Sequence, residues 1–108
     1  MPQVELNYSQ DIEINPIELF QAIEQCIDEM DDSAGICKSR AYPATSFLHT
    51  HALLTVTLID KPHRDQDFMR ALLHKLRNLG KLFFKAEYYF AVQLKFAGPY
   101  YDTGGGRT

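Results

Sequence analysis

Apolar and polar residues alternate from the start of the chain. Val4, Leu6 and Tyr8 fall on one side of residues 2–8, and Gln3, Glu5 and Asn7 on the other. A period of two is that of a half-buried strand. The period then lengthens. Phe20, Ile23, Ile27 and Met30 recur at helical spacing, behind Asn15-Pro16-Ile17-Glu18. That tetrapeptide supplies a cap, a first-turn proline and an acidic residue in the first turn. Residues 16–30 are therefore predicted as an amphipathic helix, stopped by Asp31-Asp32-Ser33-Ala34-Gly35. Residues 36–49 read as extended, with Pro43 at a bend or an edge. In residues 52–59, Ala52, Leu54, Val56 and Leu58 share one side, and Leu53, Thr55, Thr57 and Ile59 the other. A strand apolar on both sides predicts a sheet covered on both faces. After the turn Asp60-Lys61-Pro62-His63, a second helix is predicted from about Arg64 to about Phe83. Its stripe is Phe68, Leu72, Leu76, Leu79 and Phe83, with Gly80 a weak point. Residues 86–96 form the last predicted strand, with Tyr88, Phe90, Val92, Leu94 and Phe96 on one face.

The order is β-α-β-β-α-β, an α+β pattern in two halves, residues 2–49 and 51–97. Two helices cover one face of a four-stranded sheet. The other face is expected to be apolar and to need a cover, for which a second copy of the chain is the natural candidate. One domain is expected over residues 1–97, followed by a flexible tail over 98–108 that ends in Gly104-Gly105-Gly106-Arg107-Thr108.

The 108 residues carry a net charge of -3, which gives no electrostatic case for nucleic acid. Apolar residues make up 45% of the chain, including seven Phe and six Tyr, a globular composition. No apolar run is long enough to span a membrane, and the first residues lack the pattern of a signal peptide. Cys26 and Cys37 are too few for a disulfide framework; both are expected to be reduced, small and apolar in a cytoplasmic protein.

Candidate chemistry starts at Met1-Pro2. An initiator Met is normally clipped before a small residue such as Pro, which leaves a secondary amine at the N-terminus. An amino terminus titrates near pH ~8 in water. In an apolar pocket beside a fixed cation its pKa falls. Such an amine is neutral near pH 7 and can take a proton from carbon.

The element order with Pro directly after Met1 resembles the tautomerase superfamily, and within it the 5-carboxymethyl-2-hydroxymuconate isomerase branch. The likeness is carried by Met1-Pro2 opening a strand and Leu19-Phe20 in the first helix. It continues in Gly35-Ile36-Cys37-Lys38-Ser39-Arg40, in His51-Ala52-Leu53-Leu54-Thr55-Val56-Thr57-Leu58, and in Arg64 before the second helix. The resemblance implies that the proline amine moves a proton between carbons of an unsaturated 2-hydroxy or 2-keto acid. It implies that basic residues bind the oxygens of that acid, and that the chain forms a homotrimer. On it, Pro2 is the acid/base, and Arg64 and Lys38 stabilise the dienolate. Arg40, at the family's next basic position, binds substrate. His63 is a further substrate-binding candidate from its place beside Arg64 alone, and no cofactor or metal is expected. Lys38 stands where the family has an arginine. A lysine neutralises a carboxylate as a point charge without a planar two-pronged grip.

The remaining residues point elsewhere. His49 and His51 lack a third ligand for a metal. His74 reads as surface, and Ser39 and Ser46 have no placed base. Tyr88 and Phe90 read as core. A non-catalytic ferredoxin-like binding or interaction module has the same element order, as does a tautomerase scaffold without turnover. An enzyme of this type needs an unblocked Pro2; a binding module tolerates a residue ahead of it.

Overall fold

The structure is a computed structural model that describes residues 1–104; the end of the predicted tail, residues 105–108, lies outside the described residues. Six elements form in the predicted order. They are β1 (Gln3–Ser9), α1 (Pro16–Met30), β2 (Lys38–Ala44), β3 (His51–Leu58), α2 (Gln66–Phe83) and β4 (Tyr89–Phe96). The first helix begins where its capping sequence places it: the Glu18 N–H donates to Asn15 Oδ1 at 3.3 Å. The second begins two residues later than the hydrophobic stripe indicates, because Asp65 is its cap. The Asp65 carboxylate accepts from the Phe68 N–H at 2.9 Å, which leaves Arg64 outside the helix. Past Ala44 the chain is irregular up to β3, and His49 there has a φ of 64°.

The sheet order is β2-β1-β3-β4. β1 runs parallel to β2, β3 runs parallel to β4, and the central pair is antiparallel. Each half is thus a parallel strand-helix-strand unit, which needs the long crossover that a helix provides. Register decides the faces. Val4 pairs with Val56, Leu6 with Leu54, Ala52 with Phe90 and Leu54 with Val92. The apolar sides of β1, β3 and β4 therefore coincide under the helices. With Leu19, Phe20, Ile23 and Ile27 of α1 and Leu72 and Leu76 of α2 they form one core.

The same register corrects the expectation of an apolar open face. Its rows are Lys38–Gln3–Thr57–Lys95, Arg40–Glu5–Thr55–Gln93 and Tyr42–Asn7–Leu53–Ala91. Because every apolar side is spent on the helix face, the uncovered face is mainly polar and charged. The half-buried state of Leu53, Thr55 and Thr57 comes from a neighbouring strand on each side of β3. At one end of the sheet stand the starts of β1 and β2 and the ends of β3 and β4; the start of β4 and the end of β1 stand at the other.

Candidate active site

Pro2 enters the sheet just ahead of β1, a central strand, and its side chain is fully buried. Its carbonyl accepts the Lys38 N–H at 2.9 Å, so Pro2 is tied to the start of β2. Gln3 faces Thr57 across the antiparallel pair; the register carried one step further sets Pro2 against Leu58. Met1 is 40% exposed, and its side chain lies over Gly35, whose φ of +82° suits a glycine. Close by, the Cys37 N–H donates to Glu24 Oε2 at 2.8 Å. Burial pushes the Cys37 thiol up to about 11, and Glu24 adds to this; the positive amino terminus opposes both.

Arg64 is 4% exposed, and its guanidinium is largely committed within the chain. Nε donates to Asp31 Oδ2 at 2.8 Å and Nη1 to the Ile59 carbonyl at 2.8 Å. Its Nη2 is buried without a partner among the described residues. Asp31 also takes His63 Nε2 at 2.7 Å on the same oxygen. Its other oxygen accepts the Ser33 N–H at 3.0 Å and the Ser33 hydroxyl. Burial alone would raise the Asp31 pKa; hydrogen bonds from Ser33, His63 and Arg64 outweigh it and hold the carboxyl well below the usual range. The His63 side chain is half exposed and meets Phe68 edge-on, with ring centroids 6.2 Å apart.

Lys38 and Arg40 share one sheet face, as their two-residue spacing predicts, and the register makes it the open face. Lys38 is exposed beside Gln3. Arg40 is held on every side: Nε donates to the Tyr42 hydroxyl at 3.0 Å, Nη1 to Gln3 at 2.8 Å and Nη2 to Glu5 at 2.8 Å. Gln3 in turn donates to the Tyr101 hydroxyl at 3.3 Å, which brings the tail back to the first row of the sheet. A cavity of about 440 Å³ opens at this end, between the ends of β3 and β4 and residues 98–103. Ile59, whose carbonyl holds Arg64, lines it. Its charged lining is acidic, Asp60 and Asp102, and none of Pro2, Lys38, Arg40, His63 or Arg64 lines it.

The five sequence-selected residues thus form two groups. Pro2, Lys38 and Arg40 gather at the start of β1 and β2. His63 and Arg64 share Asp31, and Arg64 reaches the end of β3. Asp31 is the residue that sequence reasoning passed over as a helix stop. Its signal was an acid at a helix C-terminus with no basic residue in the last turn. There it opposes the helix dipole, so its place has to be explained by another partner.

A four-stranded mixed sheet built from two parallel strand-helix-strand units, with both helices on one face, is the tautomerase fold. Solved structures share it, among them these three. A 5-carboxymethyl-2-hydroxymuconate delta-isomerase matches with a TM-score of 0.79 at 14% identity, over 98% of this chain and 89% of its own. A 5-carboxymethyl-2-hydroxymuconate isomerase from Deinococcus radiodurans R1 matches at 0.65 and 14%, over 96% and 90%. A macrophage migration inhibitory factor-like protein from Entamoeba histolytica matches at 0.65 and 12%, over 95% of each chain. No protein-family model and no curated protein sequence matches the chain.

Proposed function

We propose that this chain is a cofactor-independent isomerase that moves a proton between carbons of an unsaturated 2-hydroxy or 2-keto carboxylic acid, with Pro2 as general acid and base. The observation that carries the reading is the place of Pro2. It heads a central strand, bound through its carbonyl to Lys38, on a fold shared with isomerases. Met1 is followed by a small residue, before which an initiator Met is normally clipped, and excision turns the Pro2 nitrogen from an amide into a secondary amine. The ring fixes that nitrogen with few torsions.

In this reading the neutral amine takes a proton next to a carbonyl. Charge grows on the oxygen, and Lys38 and Arg64 stabilise it, Arg64 only once its buried Nη2 is opened to the substrate. The protonated amine then returns the proton to a more distant carbon. One such oxygen contact is worth about 3–4 kcal/mol in the transition state. Arg40 and His63 act as substrate-binding residues only by giving up partners they hold within the chain. The homotrimer, the single domain over residues 1–97 and a cytoplasmic location belong to the same proposal.

The test compares the native protein, its mass confirmed without Met1, with Pro2→Ala and with a form extended by one residue. Ketonisation of phenylenolpyruvate or of a 2-hydroxymuconate is the readout. Both altered forms are expected to lose at least a hundredfold in kcat/KM, the lower end of what a placed base contributes, about 10²–10⁴. Equal rates in all three overturn the proposal. Rates in all three no higher than the uncatalysed background favour the second reading, a non-catalytic module or a scaffold without turnover. That reading draws support from the internal commitment of Arg40 and Arg64 and from the acidic lining of the nearby cavity.

A further inference from the structure

The geometry points to a second ligand site, for a small aromatic carboxylate, at the end of the sheet away from Pro2. A cavity of about 410 Å³ opens where the last turns of α2 meet the start of β4. That volume lies in the range of small-molecule pockets, about 300–1,000 Å³. Its walls divide into two kinds. Phe84, Tyr88 and Phe90 supply aromatic surface, and Arg77, Lys81 and Lys85 supply charge. No acidic side chain lines it. Among the described residues none of the three cations makes an ion pair, in a chain whose net charge is -3.

The aromatic wall is built rather than incidental. Phe84 and Phe90 stack with centroids 4.4 Å apart and planes 23° from parallel. Phe90 reaches that position only because residue 80 is glycine: a Cβ there would come within 2.0 Å of the ring. The helix backbone and the ring are therefore in close contact, and the stacked pair is held as a rigid surface. Lys81 in the last turn complements the carbonyl end of the helix. That role does not extend to Arg77, one turn earlier, or to Lys85, beyond the helix. All three are exposed, which leaves their charged ends free to meet an anion.

A flat ring lying against the half-buried Phe90 and Tyr88, backed by the buried Phe84, with its carboxylate among the three cations, meets both kinds of wall at once. Offset ring stacking adds about 0.5–1.5 kcal/mol beyond area burial. Purely inorganic anions leave the aromatic wall unused, and neutral rings leave the cations unused. The start of β4 pairs with the start of β3, and Gln3 pairs with Thr57 near the end of β3. The site is thus on the order of 20 Å from Pro2, the length of such a strand, and the inference does not rest on the isomerase reading.

The test is a titration of the full ¹⁵N-labelled chain with 2-naphthoate, followed by amide shifts. Shifts are expected at Gly80, Lys81, Lys85, Ala86 and Tyr88, and unchanged in Pro2→Ala. The double variant Lys81→Glu/Lys85→Glu and the single variant Arg77→Gln alter exposed positions. Thermal melts and an unshifted spectrum elsewhere confirm their folding. The double variant is expected to bind at least tenfold more weakly, as is neutral 2-naphthylmethanol to the native chain. Four results overturn the site. They are shifts confined to Gln3, Lys38 and Tyr101; equal binding of the neutral analogue; equal binding of inorganic phosphate; and an affinity indifferent to all three substitutions.

Discussion

Asp31 ties together three parts of the chain with one carboxylate. It sits past the end of α1, takes His63 and Arg64 from the turn before α2, and through Arg64 is linked to the end of β3. Asp31→Asn leaves the buried Arg64 charge uncompensated, and removing one partner of a buried pair costs about 3–5 kcal/mol. Urea unfolding at pH 7 measures that loss. The pH dependence follows from the depressed pKa. Folding favours ionised Asp31, so its contribution is complete above its unfolded pKa of about 3.9. It is lost as pH falls from there toward the folded value. The native protein should therefore lose stability below roughly pH 4 more steeply than Asp31→Asn, and parallel acid titrations followed by circular dichroism check this. Cys37 gives a second prediction at this scale. With its pKa raised to about 11, its thiolate population at pH 7 is roughly a hundredth of an ordinary cysteine's. Its reaction with a thiol reagent in the folded chain should be slower by a similar factor, and unfolding should restore the ordinary rate.

At the scale of elements, the two helices are specified differently. α1 is set by its cap: Asn15→Ala removes the acceptor for the Glu18 N–H and is expected to cost about 1 kcal/mol. α2 is set by how it meets β4. Alanine in place of Gly80 would gain up to about 1 kcal/mol in helix propensity. The added Cβ, however, strikes Phe90, which is already stacked on Phe84. Overpacking of this kind costs about 1–3 kcal/mol. Gly80→Ala is therefore expected to be net destabilising, opposite in sign to the usual effect in a helix. Chemical denaturation of the variant decides the sign.

At the scale of the whole molecule, among the described residues β2 pairs only with β1 and β4 only with β3, so each side of the sheet ends in an open edge. Unpaired edges invite strands from another chain. Exposed apolar side chains lie on or next to them: Tyr42 in β2, Phe47 and Leu48 after it, and Tyr89 at the start of β4. This, rather than an apolar open face, is what favours the proposed trimer. Light scattering with size exclusion at micromolar concentration should return the mass of three chains. A single-chain mass removes the homotrimer from the proposal.

The alternation of Val4, Leu6 and Tyr8, the helical spacing from Phe20 to Met30 and the cap at Asn15 each depend on neighbours a few residues away. That is why element order, the span of α1 and the shared face of Lys38 and Arg40 were legible in the sequence. Arg64 and Pro2 were legible as candidates through a family resemblance. What each side chain does depended on contacts between distant residues. Only the folded chain put Asp31, 33 positions back, against Arg64, spent Arg40 on Gln3 and Glu5, and set Phe90 on Gly80. Only strand register could decide that the apolar sides of three strands coincide, because a one-residue slip reverses every side chain in a strand.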